Sequence, residues 1–455
     1  MAHSRSNKVN RYSMFIGFAA LLCLAQPAPA LDLRESWNLM QFQGPAYLAA
    51  GHERDAAREN RAIGQSGLLP KVGITAFENH IDGTQKQPDF FGNSHTNDLN
   101  YASKSATLQL RQPLFNKQKM AEYRQGQYQA EYGEAVFDGK AQDAAVRLAG
   151  RYFDVLLAHE TVKLAVAKLN SFNEQVASTQ RRKQLGDGTI TDVDEAIARR
   201  DLAQAELIEA EDSLVVARRL LQEYLGQTPD EIATLQDSFP TPPLQPDNLQ
   251  EWIIRAGTDS TAIRARRLNV STADEEVAKA KAGHWPTLDL VVGYTAADSE
   301  TLSTQNERNR YASAGVELNI PLYSGGYVSA RARQSVASRD QAEEDLNATR
   351  EEIISGTTRE FRGVQSGEAR IHALEKAVKS SERALDSSKK GFMAGTSTNV
   401  DILNAQEQIY TARRDLFEAK LRYLLARLRL VANVGALGDD DIESANSYLG
   451  PRLSF

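Results

Sequence analysis

The residues that most often perform catalysis are scattered along this 455-residue chain and form no catalytic set. The only cysteine is Cys23, and there is no Gly-x-x-x-x-Gly-Lys loop that could hold nucleotide phosphates. The histidines after residue 30 lack the close spacing of a metal site, and no Ser/His/Asp set stands out. The sequence therefore predicts a protein that is not an enzyme and that binds no metal or cofactor. These histidines are His52, His80, His95, His159, His284 and His372.

The first 30 residues predict export from the cytoplasm. Arg5, Lys8 and Arg11 precede an apolar stretch of 12 residues, Met14–Ala25, and small residues follow it. This is the pattern of a cleavable signal peptide over residues 1–30. A membrane anchor is the alternative, but a bilayer requires about 20 apolar residues. Because this segment has three basic and no acidic residues, its loss lowers the net charge from −7 to −10, which argues against a nucleic-acid partner.

The remaining chain contains two copies of one structural unit. The stretch Gly186–Gly226 shares its glycines, an aspartate and a series of alanines and leucines with Gly395–Gly435, which lies 209 residues further on. A fixed shift of this kind indicates an internal repeat. Each copy predicts a helix, a hairpin of two strands, a long helix and a returning helix. The predicted repeats are 31–237 and 249–437, with a proline-rich linker at 238–248 and a C-terminal tail at 438–455, in which Pro451 is expected to interrupt any strand.

The predicted hairpins, 68–113 and 285–321, contain segments in which apolar and polar residues alternate. In Ala106–Arg111, alanine and two leucines face one side, while threonine, glutamine and arginine face the other. This alternation is typical of transmembrane barrel strands, although soluble sheets share it. Four strands cannot close a barrel, so insertion into a membrane requires several chains to share one. The polar stretches 81–103 and 298–310 are predicted to be long external loops.

The long helices are predicted at 116–184 and 325–392, where proline is absent. At 1.5 Å per residue, roughly 70 residues reach about 100 Å, which suits a coiled coil or a tube. In the returning helices, 191–226 and 399–435, alanine recurs every seven residues and allows close helix packing. A dimeric coiled coil is the alternative, but the hairpins and the signal peptide favour a helical barrel below a strand barrel. The alanines are Ala196, Ala203, Ala210 and Ala217 in the first repeat and Ala405, Ala412, Ala419 and Ala426 in the second.

With these elements in this order, the chain resembles the TolC-type outer-membrane factor family. The resemblance rests on YFDVL at Tyr152–Leu156, IPLYSGG at Ile320–Gly326, and the glycine-to-aspartate turns Gly186–Asp192 and Gly395–Asp401. It implies a mainly helical homotrimer in the outer membrane, extending into the periplasm. Each subunit would give four strands to a shared 12-strand β-barrel and its helices to a coiled-coil tunnel.

The resemblance also implies partners and a function. The expected partners are outer-membrane lipid, a periplasmic adaptor, and an inner-membrane ABC transporter or proton-driven pump. The expected function is export, either of protein by type I secretion or, alternatively, of drugs and other small molecules. A periplasmic adaptor and a soluble coiled-coil scaffold are other classes with long helices. An adaptor would have a single helical hairpin between β-rich halves, and a scaffold would need no detergent for extraction.

In the family, a periplasmic gate lies beside the two turns. Asp401 matches an inward aspartate, and Asn404 matches a second acidic position, so a trimer would hold three carboxylates there and not six. Carboxylates near an axis attract cations. Asp192 matches the aspartate of the family's latch, but Phe392 and Ser397 replace its tyrosine and arginine partners, so other contacts must hold a closed state. For both aspartates the alternative is a favourable position in the first turn of a helix.

The turns are also the expected docking tips for the adaptor, on the basis of the resemblance. Glycine in a turn is first a conformational requirement, whatever its role in docking. The basic residues near the tips are candidate substitutes for the missing latch contacts, with ordinary solvated charges as the alternative. The docking residues are Gly186, Asp187, Gly188, Gly395, Thr396 and Ser397, and the basic residues are Arg181, Arg182, Lys389 and Lys390.

Overall fold

The computed structural model describes residues 31–88, 90–227, 229, 231–299, 301–302 and 306–454, with the side chains of 451–454 excepted. The predicted signal peptide, residues 1–30, lies outside the described residues. The described chain is mainly helical, and it presents one order of elements twice. None of its helices combines the length and the apolar composition needed to cross a bilayer.

Each repeat begins with two short helices where the sequence predicted one. These are α1 (Leu33–Gln43) and α2 (Pro45–Ser66) in the first repeat. The helix breaks there because Pro45 has no amide hydrogen, so it can start a helix but cannot continue one. Later in the chain, α5 (Leu249–Asp259) and α6 (Thr261–Ala282) break at the buried Ser260.

The long helices α3 (Lys117–Leu185) and α7 (Tyr327–Met393) have 69 and 67 residues and extend about 100 Å each. They are followed by the returning helices α4 (Ile190–Leu225) and α8 (Asn399–Asn433). The seven-residue alanine pattern lies in the helix contacts, which confirms the predicted seam. The buried alanines are Ala196, Ala203, Ala210, Ala217, Ala405, Ala412 and Ala419.

Four strands form one antiparallel sheet, and two others form a small separate sheet. In chain order the strands are β1 (Lys71–Pro88), β2 (Ser94–Phe115), β3 (Glu231–Leu235), β4 (Thr287–Asp298), β5 (Arg308–Asn319) and β6 (Leu449–Ser454). The order in the larger sheet is β1-β2-β4-β5, so the hairpins of the two repeats lie side by side.

The two faces of the larger sheet differ in polarity, as the alternation predicted. Residues directly opposite one another share a face. One such row joins Ile74, Leu108, Tyr294 and Ala312. On the other face, Thr107 and Thr295 form a hydroxyl pair at 3.1 Å, and a three-residue ion cluster spans three strands. In this cluster Arg111 lies 2.8 Å from Asp289 and 2.6 Å from Glu317.

The prediction of a long loop at 81–103 was wrong. The pairing of β1 with β2 is continuous from Lys71 opposite Arg111 to Pro88 opposite Ser94. A hairpin satisfies its own backbone hydrogen bonds, so these strands continue without the apolar alternation that the prediction required. In the second hairpin β4 ends at Asp298 and β5 begins at Arg308, so the connection is also shorter than predicted.

The tail and the end of the first repeat form a small sheet that the sequence did not predict. After α9 (Asp439–Asn446), β6 pairs antiparallel with β3, and Leu31 adds a parallel bridge to β3. The expectation that Pro451 would exclude a strand was wrong, because Pro451 lies inside β6. The pairing shifts register between Ala233 and Leu235, and proline is tolerated at such irregular edges.

The main hydrophobic core lies far from the helix tips. It forms where the long and returning helices meet α1, α5, α9 and the small sheet, and Tyr152, Leu221, Ile232 and Tyr423 are almost completely buried there. The Tyr152 hydroxyl donates to the carbonyl of Ala233 at 2.6 Å and also lies 3.1 Å from that of Leu31. Closer to the tips the apolar clusters are small. The two helical hairpins are therefore joined there largely by polar contacts.

Candidate functional site

The candidate site consists of the two turns at the ends of the helical hairpins and the contacts between them. Both turns use a glycine with a positive φ, 84° at Gly186 and 75° at Gly395, which other residues rarely adopt. The Asp187 amide donates to the Arg182 carbonyl at 3.0 Å, and the Thr396 amide donates to the Gly391 carbonyl at 2.8 Å. The two predicted tips are thus exposed turns of similar construction.

Asp192 and Asp401 occupy equivalent positions, each as the third residue of its returning helix. The Thr189 hydroxyl donates to Asp192 Oδ2 at 2.7 Å, and the Asp192 amide donates back to that hydroxyl at 3.1 Å. Thr398 and Asp401 form the same reciprocal capping box, at 2.8 and 3.2 Å. Both aspartates therefore stabilise helix starts, which was the structural alternative for each of them.

The capping box also affects the acidity of Asp401. Hydrogen bonds from the amide and the hydroxyl of Thr398 hold the pKa of this exposed carboxyl below its ordinary value. Both bonds end on Oδ2. Among the described residues, none donates a hydrogen bond to the other carboxylate oxygen. Asp401 can therefore cap α8 and still present negative charge to its surroundings.

The tips of the two hairpins touch at Asn399, the first residue of α8. This side chain is almost completely buried, donates to the Asp192 carbonyl at 3.3 Å, and accepts a hydrogen bond from Gln175 of α3. Asn404, one turn further along α8, accepts from Arg199 of α4 at 3.2 Å. The structure thus brings the predicted gate residues Asp192 and Asn404 into contact with the opposite hairpin.

One of the four basic residues near the tips also reaches the opposite hairpin. The Arg182 guanidinium lies 4.2 Å from the centre of the Phe392 ring, a cation–π distance. Phe392 is the residue that the sequence resemblance places at the tyrosine position of the family's latch. Arg181 donates to a carbonyl of its own helix, and Lys390 pairs with Asp386 of its own helix at 2.6 Å.

A buried cation lies further from the tips, and the sequence reasoning missed it. Lys168 of α3 has a side chain only 7% exposed, and its Nζ lies 2.6 Å from Glu206 of α4 and 2.7 Å from Glu407 of α8. Lys168 follows Ala165 and precedes Phe172 at seam spacing, so a charged residue at a seam position was the signal that could have revealed it. This cluster joins three helices of two hairpins.

The tips also expose large apolar side chains that the sequence reasoning missed. Leu185 and Met393, which precede the two turns, are 77% and 80% exposed, and Ile190, which begins α4, is 53% exposed. Exposed apolar side chains that cluster at one end of a molecule are typical of a surface that binds another protein. Their position next to the glycine turns was the sequence feature that could have predicted this exposed apolar surface.

The same region shows no arrangement suited to metal chemistry. Across the described ranges, no three His, Cys, Asp or Glu side chains are close enough to hold a metal ion. The arrangement can instead bind a partner and present charge at the end of a long helical structure.

Comparison with known proteins places this arrangement in a family. The sequence pattern of the family described as "Outer membrane efflux protein" matches residues 41–227 and 252–436, once in each repeat. The proteases secretion protein PrtF of Dickeya chrysanthemi is 33% identical, over 91% of this chain and 90% of that protein. The alkaline protease secretion protein AprF of Pseudomonas aeruginosa is 32% identical, over 93% and 89%.

A solved structure shows the same fold. The outer membrane protein VceC of Vibrio cholerae superposes with a TM-score of 0.75 and 19% identity, over 89% of this chain and 96% of that chain. The chain belongs to the outer membrane efflux protein family, which includes the TolC-type channels. It is an outer-membrane export channel with a helical tunnel that extends into the periplasm. This confirms the family, fold class and location that the sequence predicted.

Proposed function

We propose that this chain is the outer-membrane component of a type I secretion system and that it exports protein. The observation that carries the proposal is the similarity, over nearly the whole chain, to two proteins named for protease secretion. The channel works as a homotrimer. Three four-stranded sheets close one barrel, because a single sheet has open edges at β1 and β5 that cannot lie in lipid.

The docking surface for the periplasmic adaptor consists of the two turns and the apolar side chains beside them. Asp187 and Thr396 lie at equivalent positions in exposed turns, and Leu185 and Met393 supply apolar area next to them. The adaptor links these tips to an inner-membrane ABC transporter, which supplies the energy. The support for this assignment is the exposure of apolar side chains at the end of the helices and the similarity to secretion components.

The gate lies at the same end of the tunnel. Asp401 keeps its charge at neutral pH, and in a trimer three such carboxylates around the axis attract cations. The contacts of Asn399, of Asn404 with Arg199, and of Arg182 with Phe392 join the two hairpins of each subunit. These contacts replace the latch partners that the sequence lacks at Phe392 and Ser397.

Single cysteines at the tips test the docking surface and the cargo class together. Cys23 is the only natural cysteine and lies in the predicted signal peptide, so Asp187→Cys and Thr396→Cys would each add one reactive site. These exposed positions are preferable to Gly188, where a Cβ would come within 3.0 Å of the Lys183 amide. Crosslinking in intact cells, followed by mass spectrometry, is expected to capture an adaptor together with an ABC transporter.

The control is Gln250→Cys, an exposed position on α5 that lies about 50 Å from the tips by the length of α4. It should capture neither protein. Capture of a proton-driven pump at the tips would replace the type I proposal with small-molecule efflux. Equal capture at Gln250 and at the tips, or no capture at the tips, would refute the docking surface.

A further inference from the structure

The apolar face of the larger sheet ends in a row of small residues. Next to the row of Ile74, Leu108 and Tyr294, the directly paired residues are Ala76, Ala106 and Ala296, which we call the alanine shelf. Arg310 of β5 completes this row opposite Ala296. Because these residues lie on one face, a bulky apolar surface gives way to three alanines, with the long side chain of Arg310 at the β5 end of the row.

A charged row follows directly beyond the alanine shelf. It consists of Glu78, Lys104, Asp298 and Arg308, one from each strand, each opposite the next in register. Lys104 pairs with Glu78 at 2.7 Å, and Arg308 pairs with Asp298 at 3.1 Å. Arg310 is exposed, and no carboxylate in the described part of the chain lies within ion-pair distance of it. The two rows together therefore carry one positive charge in excess.

The shelf and the charged row enclose a shallow depression of about 410 Å³. Its lining includes the three alanines of the shelf and all five charged side chains of the two rows, Glu78, Lys104, Asp298, Arg308 and Arg310. One side of the depression is thus apolar and continuous with the face of the sheet, and the other side carries two ion pairs and one cation in excess, that of Arg310. This combination suits an amphipathic molecule with an anionic head.

The location of the depression along the strands determines its depth in the membrane. The helices leave the sheet at the opposite ends of these strands, so the depression faces away from the periplasm. From Leu318, the last apolar paired residue at the helical end of β5, to Arg310 is eight residues, or about 26 Å along the strand. Barrel strands are tilted by about 40°, so this length corresponds to about 20 Å along the membrane normal. The apolar band of a transmembrane barrel is about 25 Å tall. The depression therefore lies within about 5 Å of the level at which the outer leaflet meets its headgroups.

We propose that this depression binds the phosphorylated headgroup of a glycolipid in the outer leaflet. Arg310 and Arg308 donate hydrogen bonds to the phosphate oxygens, which a guanidinium can do in a bidentate manner. Lys104 adds a third donor at the same level. An acyl chain of the lipid lies against the alanine shelf and continues along the apolar face. The assignment does not depend on which cargo the channel exports.

Native mass spectrometry of the purified, delipidated trimer tests the site, with bisphosphorylated lipid A as the probe. The variant Arg308→Gln/Arg310→Gln is expected to bind lipid A at least about tenfold more weakly, because it loses two charge-assisted contacts. The matched control is Lys86→Gln, an exposed cation on the same face of β1, eight residues further out than Glu78. Lipid A stripped of its phosphates should bind the natural protein at least as weakly as lipid A binds the double variant, which keeps the donor of Lys104.

Four results would overturn the proposal. Equal weakening in Lys86→Gln would show general attraction to a charged surface, and equal binding of the dephosphorylated lipid would show that acyl chains alone suffice. Displacement of lipid A by an equal concentration of inorganic phosphate would show a site for a free anion. Loss of the trimer in the double variant, with unchanged lipid binding by the trimers that remain, would show that the arginines instead contact a neighbouring subunit.

Discussion

Replacement of Lys168 by methionine should destabilise the junction of α3, α4 and α8 through charge and not through packing. Methionine keeps a long apolar stem but removes the ammonium that lies 2.6 Å from Glu206 and 2.7 Å from Glu407. Both carboxylate oxygens lie within 2.7 Å of one nitrogen, so they cannot be more than about 5.4 Å apart. At that separation two charges repel by about 0.8 kcal/mol in water and by about 3 kcal/mol at an effective dielectric constant near 20.

The repulsion should lie near the lower limit, because the side chains of Glu206 and Glu407 are 53% and 38% exposed. A cost of about 1 kcal/mol corresponds to a roughly fivefold faster thermal unfolding of the purified channel, if the transition state has lost the contact. The double variant Lys168→Met/Glu206→Gln has only one carboxylate at the junction. It should recover most of the lost half-life.

Two comparisons separate charge from packing. Raising the salt from 0.1 to 1 M shortens the Debye length from about 10 Å to 3 Å, so it should slow unfolding of the single variant and leave the double variant unchanged. Lys163→Met is the matched control on the same helix, because Lys163 is exposed and, among the residues that the structure describes, forms its one ion pair with Glu160 at 3.2 Å. A single variant that unfolds like the double variant at every salt concentration would refute the reasoning.

Three further predictions concern the gate and the core. Asp401→Ala should lower the cation selectivity of the channel in planar bilayers and remove block by trivalent cations. Because the Thr398 hydrogen bonds lower the pKa of Asp401, the difference in selectivity from the natural protein should persist as the pH falls to about 4. Loss of this difference above pH 5 would contradict the prediction. Tyr152→Phe should cost about 1–3 kcal/mol, measured as faster thermal unfolding, because the backbone carbonyl of β3 loses a buried donor. Arg182→Gln should speed proteinase K cleavage of the α7–α8 turn about two- to fivefold, the equivalent of about 0.5–1 kcal/mol, because the cation–π contact is lost. Adding Phe392→Leu to this variant should cause no further increase in the cleavage rate. A further increase would show that the two side chains act independently.

The sequence predicted those parts of the fold that depend on local periodicity. Absence of proline predicted α3 and α7, and the seven-residue alanine pattern predicted the seam of α4 and α8. Period-two alternation located the parts of β1, β2, β4 and β5 that have one apolar face. The strand segments at 81–88 and 94–103 were missed because they lack this alternation, and only the pairing of the two strands reveals them.

The sequence also did not predict contacts between distant parts of the chain. The pairing of β3 with β6 joins residues more than 200 positions apart, and nothing in either short segment indicates the other. For the candidate site, the equivalent positions of Asp192 and Asp401 followed from the repeat. The cation–π contact of Arg182 and the position of Asn399 between the hairpins required the packing of four helices, which no local pattern specifies.

The two returning helices are not equivalent, although the repeat makes them so in sequence. Towards the tips, the contact of α8 with α3 is largely polar. Gln406 donates to Ser171 at 2.6 Å, and the Tyr410 hydroxyl donates to the carbonyl of Ala167 at 3.1 Å, beside a small apolar contact of Leu403 with Phe172. Water can replace such partners when two helices separate, whereas separation of an alanine and leucine seam exposes apolar area without compensation. Movement of the α7–α8 hairpin against α3 therefore costs less free energy than separation of the two helices within either hairpin. This difference occurs at the end of the tunnel where Asp401 lies.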